Sequence, residues 1–262
     1  MSSAAAPAGH PETMSTATTL RPTPHQAQSA LQRELAHVAL LHAERRANPQ
    51  LARALEQLSL WQSLRLGRTY ADLESQPRYA DAVEFFDSDL YGNVDFARRD
   101  ADIARAAPII GRTLPNRAIA VVAQAVEVHA LSQELDRALL ARLPNLDGRF
   151  SVADYCRAYR RMNNRAGRER QIQLIIDVGT ELDRLVRKPL LKTALMMMRQ
   201  PARLAGMVVL HDFLERGYQA FRKMNGAGEF LATIASRETA LMEAIFDGEN
   251  APFADPMVTP EG

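Results

Sequence analysis

The stretch IQLIIDVGTELDRLVRK, residues 172–188, decides the fold class of this 262-residue chain. Apolar side chains recur at spacings of three or four residues along one face, and most polar side chains lie on the opposite face. The apolar positions are Ile172, Ile175, Ile176, Gly179, Leu182 and Val186. The opposite face carries Gln173, Asp177, Glu181, Arg184 and Lys188. Because this period matches the turn of an α-helix, the stretch predicts a helix with one buried face.

Similar periods on both sides predict further helices. Pro49 and Pro201 suit a first helical turn, and Ser151 followed by Asp154 has the spacing of a capping box. Four further helices are predicted over residues 78–90, 95–114, 118–143 and 227–246. No segment alternates apolar and polar residues as a half-buried strand does. We therefore predict an all-α protein, a single irregular multi-helix bundle of about nine helices.

Composition divides the chain into a body and two tails. Residues 1–24 are rich in Ser, Ala, Thr and Pro and nearly free of charge, which predicts a disordered N-terminal tail. Residues 25–247 form the predicted helical domain, with a turn-like loop that suggests subhalves at 25–143 and 149–247. The proline-containing residues 248–262 read as a loose C-terminal tail.

Charge and cysteine content exclude several protein classes. The chain has 32 basic and 31 acidic residues, so its net charge of +1 argues against a nucleic-acid partner. Cys156 is the single cysteine, which rules out an intrachain disulfide and a cysteine-based zinc site. The apolar runs are shorter than the roughly 20 residues that span a bilayer. Without a signal-peptide pattern at the start, we expect the cytoplasm as the compartment.

A second informative stretch is FFDSDLYG, residues 85–92. It resembles the motif of the bacterial FFLEELY-motif family. The positions that match are Phe85, Phe86, Leu90, Tyr91 and Gly92, and Asp89 keeps the acidic character of the motif. Asp87 and Ser88 depart from it. The resemblance implies a helical protein, and it brings no activity with it because the family's function is unassigned.

The two aromatic residues of this motif have different predicted environments. Phe86 shares a helical stripe with Tyr79, Val83 and Leu90, so we predict that Phe86 lies at the centre of a buried face. Phe85 is off that stripe. Burial as a core anchor is the main interpretation of Phe85, and an exposed ring that contacts a partner protein is the alternative.

Six arginines lie within residues 157–170. Arg157, Arg161, Asn164 and Arg168 have the spacing of one helical stripe, which could bind phosphates or another anionic ligand. The alternative is pairing inside the protein with the acidic residues 84–102. Because the net charge is near zero, we predict internal pairing with those carboxylates.

The histidines offer few signs of a metal site. A carboxylate-bridged dimetal site in a helical bundle uses Glu-x-x-His pairs, and the sequence contains none. His211 and Glu215 share a helix face, and His129 lies in a long apolar helix, where a core histidine is the simpler interpretation. Cys156 has no histidine nearby in sequence, which favours packing over catalysis. We therefore predict no metal and no cofactor.

Two function classes stay open. The first is a non-catalytic binding or protein-interaction module with an unknown protein or small-molecule partner, and a homo-oligomer is compatible with it. The second is an enzyme whose acidic and arginine-lined site in the bundle acts on an anionic substrate. The absence of a recognisable nucleophile, base pair or cofactor loop favours the first class.

Overall fold

Local capping chemistry sets several helix boundaries in the computed structural model, which describes residues 23–91, 96–113, 116–145 and 150–258. Thr23 and Gln26 form a reciprocal capping box at the first helix. The predicted box of Ser151 and Asp154 is confirmed, because the Ser151 hydroxyl accepts a hydrogen bond from the Asp154 backbone and Asp154 accepts one in return. Pro49 is the first residue of its helix, as predicted.

Eleven α-helices and one π-helix make up the secondary structure of the described residues, and no strand occurs among them. The first six are α1 Pro24–Ala47, α2 Pro49–Thr69, α3 Ala71–Glu74, α4 Ala80–Phe85, α5 Phe96–Thr113 and α6 Asn116–Leu140. The others are α7 Val152–Arg161, α8 Arg165–Val186, α9 Pro189–Leu204, α10 Val208–Met224 and α11 Gly228–Phe246. The π-helix, π1, spans Phe86–Tyr91 between α4 and α5. The all-α prediction is confirmed, with somewhat more helices than expected. Among the described residues, every helix is too short or too polar to cross a lipid bilayer.

Three apolar clusters hold the helices together. One joins α2, α6, α7 and α11 around Trp61 and Leu139, both almost fully buried. A second lies around Phe221 and Phe230 and joins α4, α10 and α11. The third lies along α1, α5 and α6, the seam where α1 and α6 make extensive contact. Because α6 contributes to two clusters, it connects these parts of the core.

The arginine-rich segment is interrupted, which corrects the prediction of one helical stripe. Asn163 adopts a left-handed backbone with φ of 49°, and α7 ends before it. Asn164 then caps α8 by accepting a hydrogen bond from the backbone of Gly167 at 3.0 Å. Asparagine is one of the few residues that tolerate this conformation. As a result Arg168 lies on a different helix from Arg157 and Arg161.

A second correction concerns Pro201, which lies inside α9 and does not begin a helix. The break comes later, where Gly206 has φ of 68° and α9 gives way to α10. The last helix, predicted over residues 227–246, spans Gly228–Phe246, and Asn225 and Gly226 just before it both have positive φ. Proline lacks a backbone donor, but its φ is compatible with a helix, so it need not mark a helix start.

The aromatic motif lies where the helix changes period. Phe85 ends α4 and is 6% exposed, with its ring centroid 5.3 Å from that of Phe213. Phe86 begins π1 and is only half-buried, 5.5 Å from Phe230. The prediction that Phe86 lies at the centre of a buried face is therefore wrong, whereas the position of Phe85 agrees with its interpretation as a core anchor. A π-helix has more residues per turn than an α-helix, so the stripe predicted through Leu90 does not continue at the same angle. Gly92 and the side chains of Asp89, Leu90 and Tyr91 lie outside the described residues.

The segment after α11 packs against the helices. Phe253 contacts Trp61 and Tyr155 with centroid distances of 5.8 Å and 6.1 Å. Arg68 of α2 donates hydrogen bonds to the carbonyl oxygens of Asp255 and Val258. Residues 248–258, which composition predicts to be loose, are thus anchored on α2 and α7. Residues 1–22 of the predicted N-terminal tail lie outside the described residues.

Candidate functional site

The arginines between residues 157 and 170 have three different environments. Arg157 pairs with Asp154, Arg170 pairs with Glu127 at 2.8 Å, and Arg165 pairs with Glu169 at 2.9 Å. These carboxylates come from neighbouring turns and from α6, so the prediction that residues 84–102 supply them is wrong. Arg161 is exposed and has no ion pair with a described residue. Arg168, in contrast, is 6% exposed and points into the protein.

Arg168 contributes to a cavity of about 60 Å³ lined by residues of α2, α6, α7, α8 and α11. The wall also contains apolar side chains of α8 and α11. The polar residues that line it are Gln62, Arg65, Ser132, Asp136, Tyr155, Tyr159, Arg168, Gln171 and Glu238. A water molecule needs about 10–15 Å³ measured in this way, so the cavity has room for a few waters or for one carboxylate-sized group.

The Arg168 guanidinium is only partly satisfied within the protein. Its Nη1 donates to Gln171 Oε1 at 3.1 Å, and its Cζ lies 4.6 Å from the centroid of the Tyr159 ring. Its Nε and Nη2 are buried and have no hydrogen-bond partner among the described residues. These two atoms form one edge of the planar group, the edge that meets a carboxylate with two parallel hydrogen bonds. These two buried donors of Arg168, a residue of the cavity wall, therefore have no acceptor among the described residues.

The second arginine of the cavity is fully engaged. Arg65 Nη1 and Nη2 donate to the two oxygens of Glu238 at 2.7 Å and 3.0 Å, and the Tyr70 hydroxyl also donates to Glu238 at 2.9 Å. Burial alone would raise the pKa of the Glu238 carboxyl. The charge and hydrogen bonds of Arg65 have the larger combined effect, so the pKa lies below its usual range. Arg65 and Glu238 thus neutralise one another. Arg168 is the other arginine of the cavity wall, and it has no ion pair with a described carboxylate.

Asp136 of α6 lies close enough to Arg168 to feel its charge, but the two residues do not form an ion pair. Burial raises the pKa of the Asp136 carboxyl, opposed by the charge of Arg168 and by a hydrogen bond from Gln62 at 3.0 Å. Burial also raises the pKa of the nearby Tyr155 hydroxyl, despite the positive charge of Arg168. The Tyr155 hydroxyl therefore keeps its proton and can donate a hydrogen bond to a bound anion, and Asp136 holds a proton more readily than an exposed aspartate does.

A second polar cluster joins α1, α5 and α6. His42 Nε2 lies 2.8 Å and His129 Nε2 lies 2.9 Å from the same oxygen, Oδ2 of Asp100. The other oxygen of Asp100 faces the Arg99 guanidinium at 3.4 Å. His42, Arg99 and Asp100 are all buried. The interpretation of His129 as a core histidine with a hydrogen-bonded ring agrees with this geometry, but its main partner is a carboxylate.

The pair His211 and Glu215 also belongs to a cluster, with Asp212 as its third member. His211 Nε2 lies 2.9 Å from the backbone carbonyl oxygen of Leu195, and its Nδ1 is 3.9 Å from Glu215. Arg199 occupies both oxygens of Glu215 at 2.6 Å and 2.7 Å. With its carboxylate already paired and its distances longer, this cluster is a weaker candidate for ligand binding than the other two.

Cys156 lies in the apolar cluster around Trp61 and is fully buried. Burial raises the pKa of its thiol to about 11, against the opposing effect of Arg160. The thiol is therefore protonated near neutral pH, and the interpretation of Cys156 as a packing residue agrees with its position.

Sequence reasoning singled out Arg168 and His129 but not the residues around them. Gln62, Asp136 and Tyr155 come from three helices, and His42 lies 58 residues from Asp100. None has a neighbour in sequence that forms a recognisable motif with it. The one available signal was a set of polar residues at apolar positions of amphipathic helices, as at Arg168 and Gln171 of α8.

Comparison with known proteins supports family membership and gives no activity. No curated protein and no solved structure matches the chain. The resemblance to the FFLEELY-motif family remains a prediction. Residues 41–252, which include every lining residue of the cavity and the three residues His42, Asp100 and His129, match a family described as a domain of unknown function, DUF8198. Because this match covers most of the sequence, the chain belongs to the DUF8198 family.

Proposed function

We propose that this chain is a binding protein for a small oxyanion of carboxylate size, held in the polar cavity by Arg168. The observation that carries the proposal is that two donors of Arg168, Nε and Nη2, are buried without a hydrogen-bond partner among the described residues. A buried charged donor without a partner is costly, by more than the 1–3 kcal/mol or so typical of a neutral group. A bound carboxylate would supply two acceptors and a compensating charge at the same place.

Shape and charge of the cavity also support this ligand class. Arginine is suited to planar, two-oxygen ligands because its donors form a rigid fork. Tyr159 fixes the guanidinium plane by lying against it, and Gln171 holds its far side through Nη1. The volume of about 60 Å³ limits the ligand to a small ion or to the anionic end of a longer molecule.

Calorimetric titration with sodium acetate, against sodium chloride at equal ionic strength, tests the proposal. Acetate has four non-hydrogen atoms, and a ceiling of about −1.5 kcal/mol per atom limits its binding free energy to about −6 kcal/mol. We therefore expect a dissociation constant of the order of 1 mM, equivalent to about −4 kcal/mol. Arg168→Gln should abolish the heat of binding.

Two variants make the test specific. Arg161→Gln removes an exposed arginine close in sequence, so it should leave acetate binding unchanged. Asp136→Asn removes a buried carboxyl that, when ionised, competes with the ligand for Arg168, so it should strengthen binding. If wild type and Arg168→Gln bind acetate equally, or if neither binds formate or acetate, the cavity holds water and the proposed function is wrong.

The same cavity supports a second candidate, an enzyme acting on an anionic substrate. A carboxyl with a raised pKa, such as that of Asp136, is typical of general acids. Asp136→Asn separates the two candidates. It should improve ligand binding in a binding protein, whereas in an enzyme it should abolish conversion of the bound ligand as followed by NMR.

A further inference from the structure

The side chains of His42, Asp100 and His129 converge on one point from three helices. Both Nε2 atoms lie within 2.9 Å of Asp100 Oδ2, although the residues are far apart in sequence. Two imidazole nitrogens and one carboxylate oxygen form a donor set that suits divalent first-row transition metals, whereas Mg²⁺ and Ca²⁺ prefer oxygen ligands alone.

A fourth donor lies next to this set. Gln133 is one turn from His129 on α6, and its side-chain nitrogen is 2.8 Å from His129 Nε2. The Nε2 atom of His129 carries either a proton or a lone pair in the plane of the ring, where Asp100 and Gln133 approach it. Gln133 as a donor requires the lone pair, whereas Asp100 as an acceptor requires the proton. Turning the Gln133 amide removes this conflict and brings its oxygen toward His129 Nε2, where it can serve as a fourth donor to a cation that both Nε2 lone pairs and Asp100 Oδ2 face.

A contact with Arg99 orients one member of this donor set. Arg99 approaches only Oδ1 of Asp100, at 3.4 Å, which orients the carboxylate and leaves Oδ2 for the ion.

Two features limit the affinity of such a site. The Arg99 charge opposes a divalent cation. The donor atoms also have to separate, because a tetrahedral ion with bonds of about 2.0–2.1 Å holds its ligand atoms about 3.3 Å apart. His129 is the least buried of the three, with 15% of its side chain exposed, and it gives the ion a route from solvent.

We propose that His42, Asp100 and His129, with Gln133 as the fourth donor, bind one divalent transition-metal ion such as Zn²⁺ or Co²⁺. The site lies between α1, α5 and α6, apart from the oxyanion cavity, so its test is independent of the proposed function.

Equilibrium dialysis of the EDTA-treated full chain against ZnCl₂, followed by metal analysis, measures the stoichiometry. Wild type should retain one Zn²⁺, and Co²⁺ should give a visible absorption band typical of a tetrahedral site. His129→Gln and His42→Gln should each weaken binding at least tenfold. His25→Gln is the matched control, because His25 is an exposed histidine on the same helix as His42, and it should bind as wild type does.

Circular dichroism of each variant shows whether it is folded, so that loss of metal binding is not confused with loss of structure. If His42→Gln does not fold, His129→Gln decides, since its ring lies at the edge of the site. Zinc retention by folded His129→Gln equal to that of wild type would overturn the proposal, as would failure of wild type to bind either ion. A simple hydrogen-bonded triad would then explain the three residues.

Discussion

Asp136 shows how burial affects an individual carboxyl group. Its raised pKa means that the folded state holds a proton more readily than the unfolded chain does. The contribution of this group to the free energy of unfolding is therefore fully present below the ordinary pKa of 3.8 and is lost as the pH rises. In its ionised form at higher pH, the buried carboxylate opposes folding.

We predict that Asp136→Asn raises the free energy of unfolding at pH 7. The amide keeps an acceptor for Gln62 and removes the buried charge, so the gain should shrink as the pH falls toward 4. Urea denaturation at both pH values measures the difference.

Asp72→Asn is the control, because it should change the free energy of unfolding at pH 7 in the opposite direction. A hydrogen bond from Arg237 lowers the pKa of exposed Asp72, so its stabilising contribution is present at pH 7 and is lost in acid. Loss of the Asp72 charge should lower the free energy of unfolding by less than about 1 kcal/mol, as for other surface ion pairs. A loss of stability in Asp136→Asn at pH 7 would contradict the first prediction.

At the scale of elements, sequence patterns predicted what short-range chemistry controls. Caps at Pro49 and Ser151 appear where expected because the capping groups lie within three residues of each other. The π-helix after Phe85 and the break at Asn163 were missed. Both depend on how neighbouring helices pack, since an extra residue per turn or a left-handed residue is tolerated only when tertiary contacts compensate for it.

Sequence patterns also failed to predict the residues around Arg168 and the cluster of His42, Asp100 and His129, for the same reason. Arg168 was predicted to pair inside the protein with carboxylates of residues 84–102, and it is buried beside a different set of residues. Its burial follows from the position of α8 against α6 and α11, which local periodicity does not encode. His42 and Asp100 come together only because α1 and α5 pack side by side. Long-range pairing of this kind leaves no local pattern in the sequence.

Close packing between α8 and α11 gives a second prediction, at Gly179. A Cβ at this position would lie 2.5 Å from Leu231 Cδ2 and 3.1 Å from its Cδ1, and Leu231 is buried. Gly179→Ala should therefore push the two helices apart and lower the free energy of unfolding by about 1–3 kcal/mol, as in other overpacked cores.

Gly67 in α2 provides the matched control, because nothing lies within 4 Å of the position that its Cβ would take. Gly67→Ala should raise the free energy of unfolding by up to about 1 kcal/mol through helix propensity alone. Urea denaturation compares the two variants. Equal effects at both positions would show that Leu231 adapts without cost.

At the scale of the whole molecule, distant parts of the chain meet at α2. Trp61 packs against Phe150, Tyr155 and Phe253, so residues that precede α7 and follow α11 share one cluster. The family match ends at residue 252, just before Phe253. The last described segment therefore adds a contact to the core outside the matched region.

We predict that Phe253→Ala destabilises the whole protein by about 1–3 kcal/mol, less than a fully buried phenylalanine because Phe253 is half-buried. For a domain of this size, 1 kcal/mol corresponds to roughly 2–4 °C in Tm. Met257→Ala, in the same segment, removes a side chain that is 61% exposed and should change the free energy of unfolding by less than about 0.5 kcal/mol. Thermal unfolding of both variants distinguishes an anchored segment from a loose one, because a loose segment would leave the two Tm values equal. A lower Tm for Phe253→Ala alone would show that the segment after α11 stabilises α2 and α7, the helices that carry Gln62, Tyr155 and Tyr159 into the wall of the cavity beside Arg168.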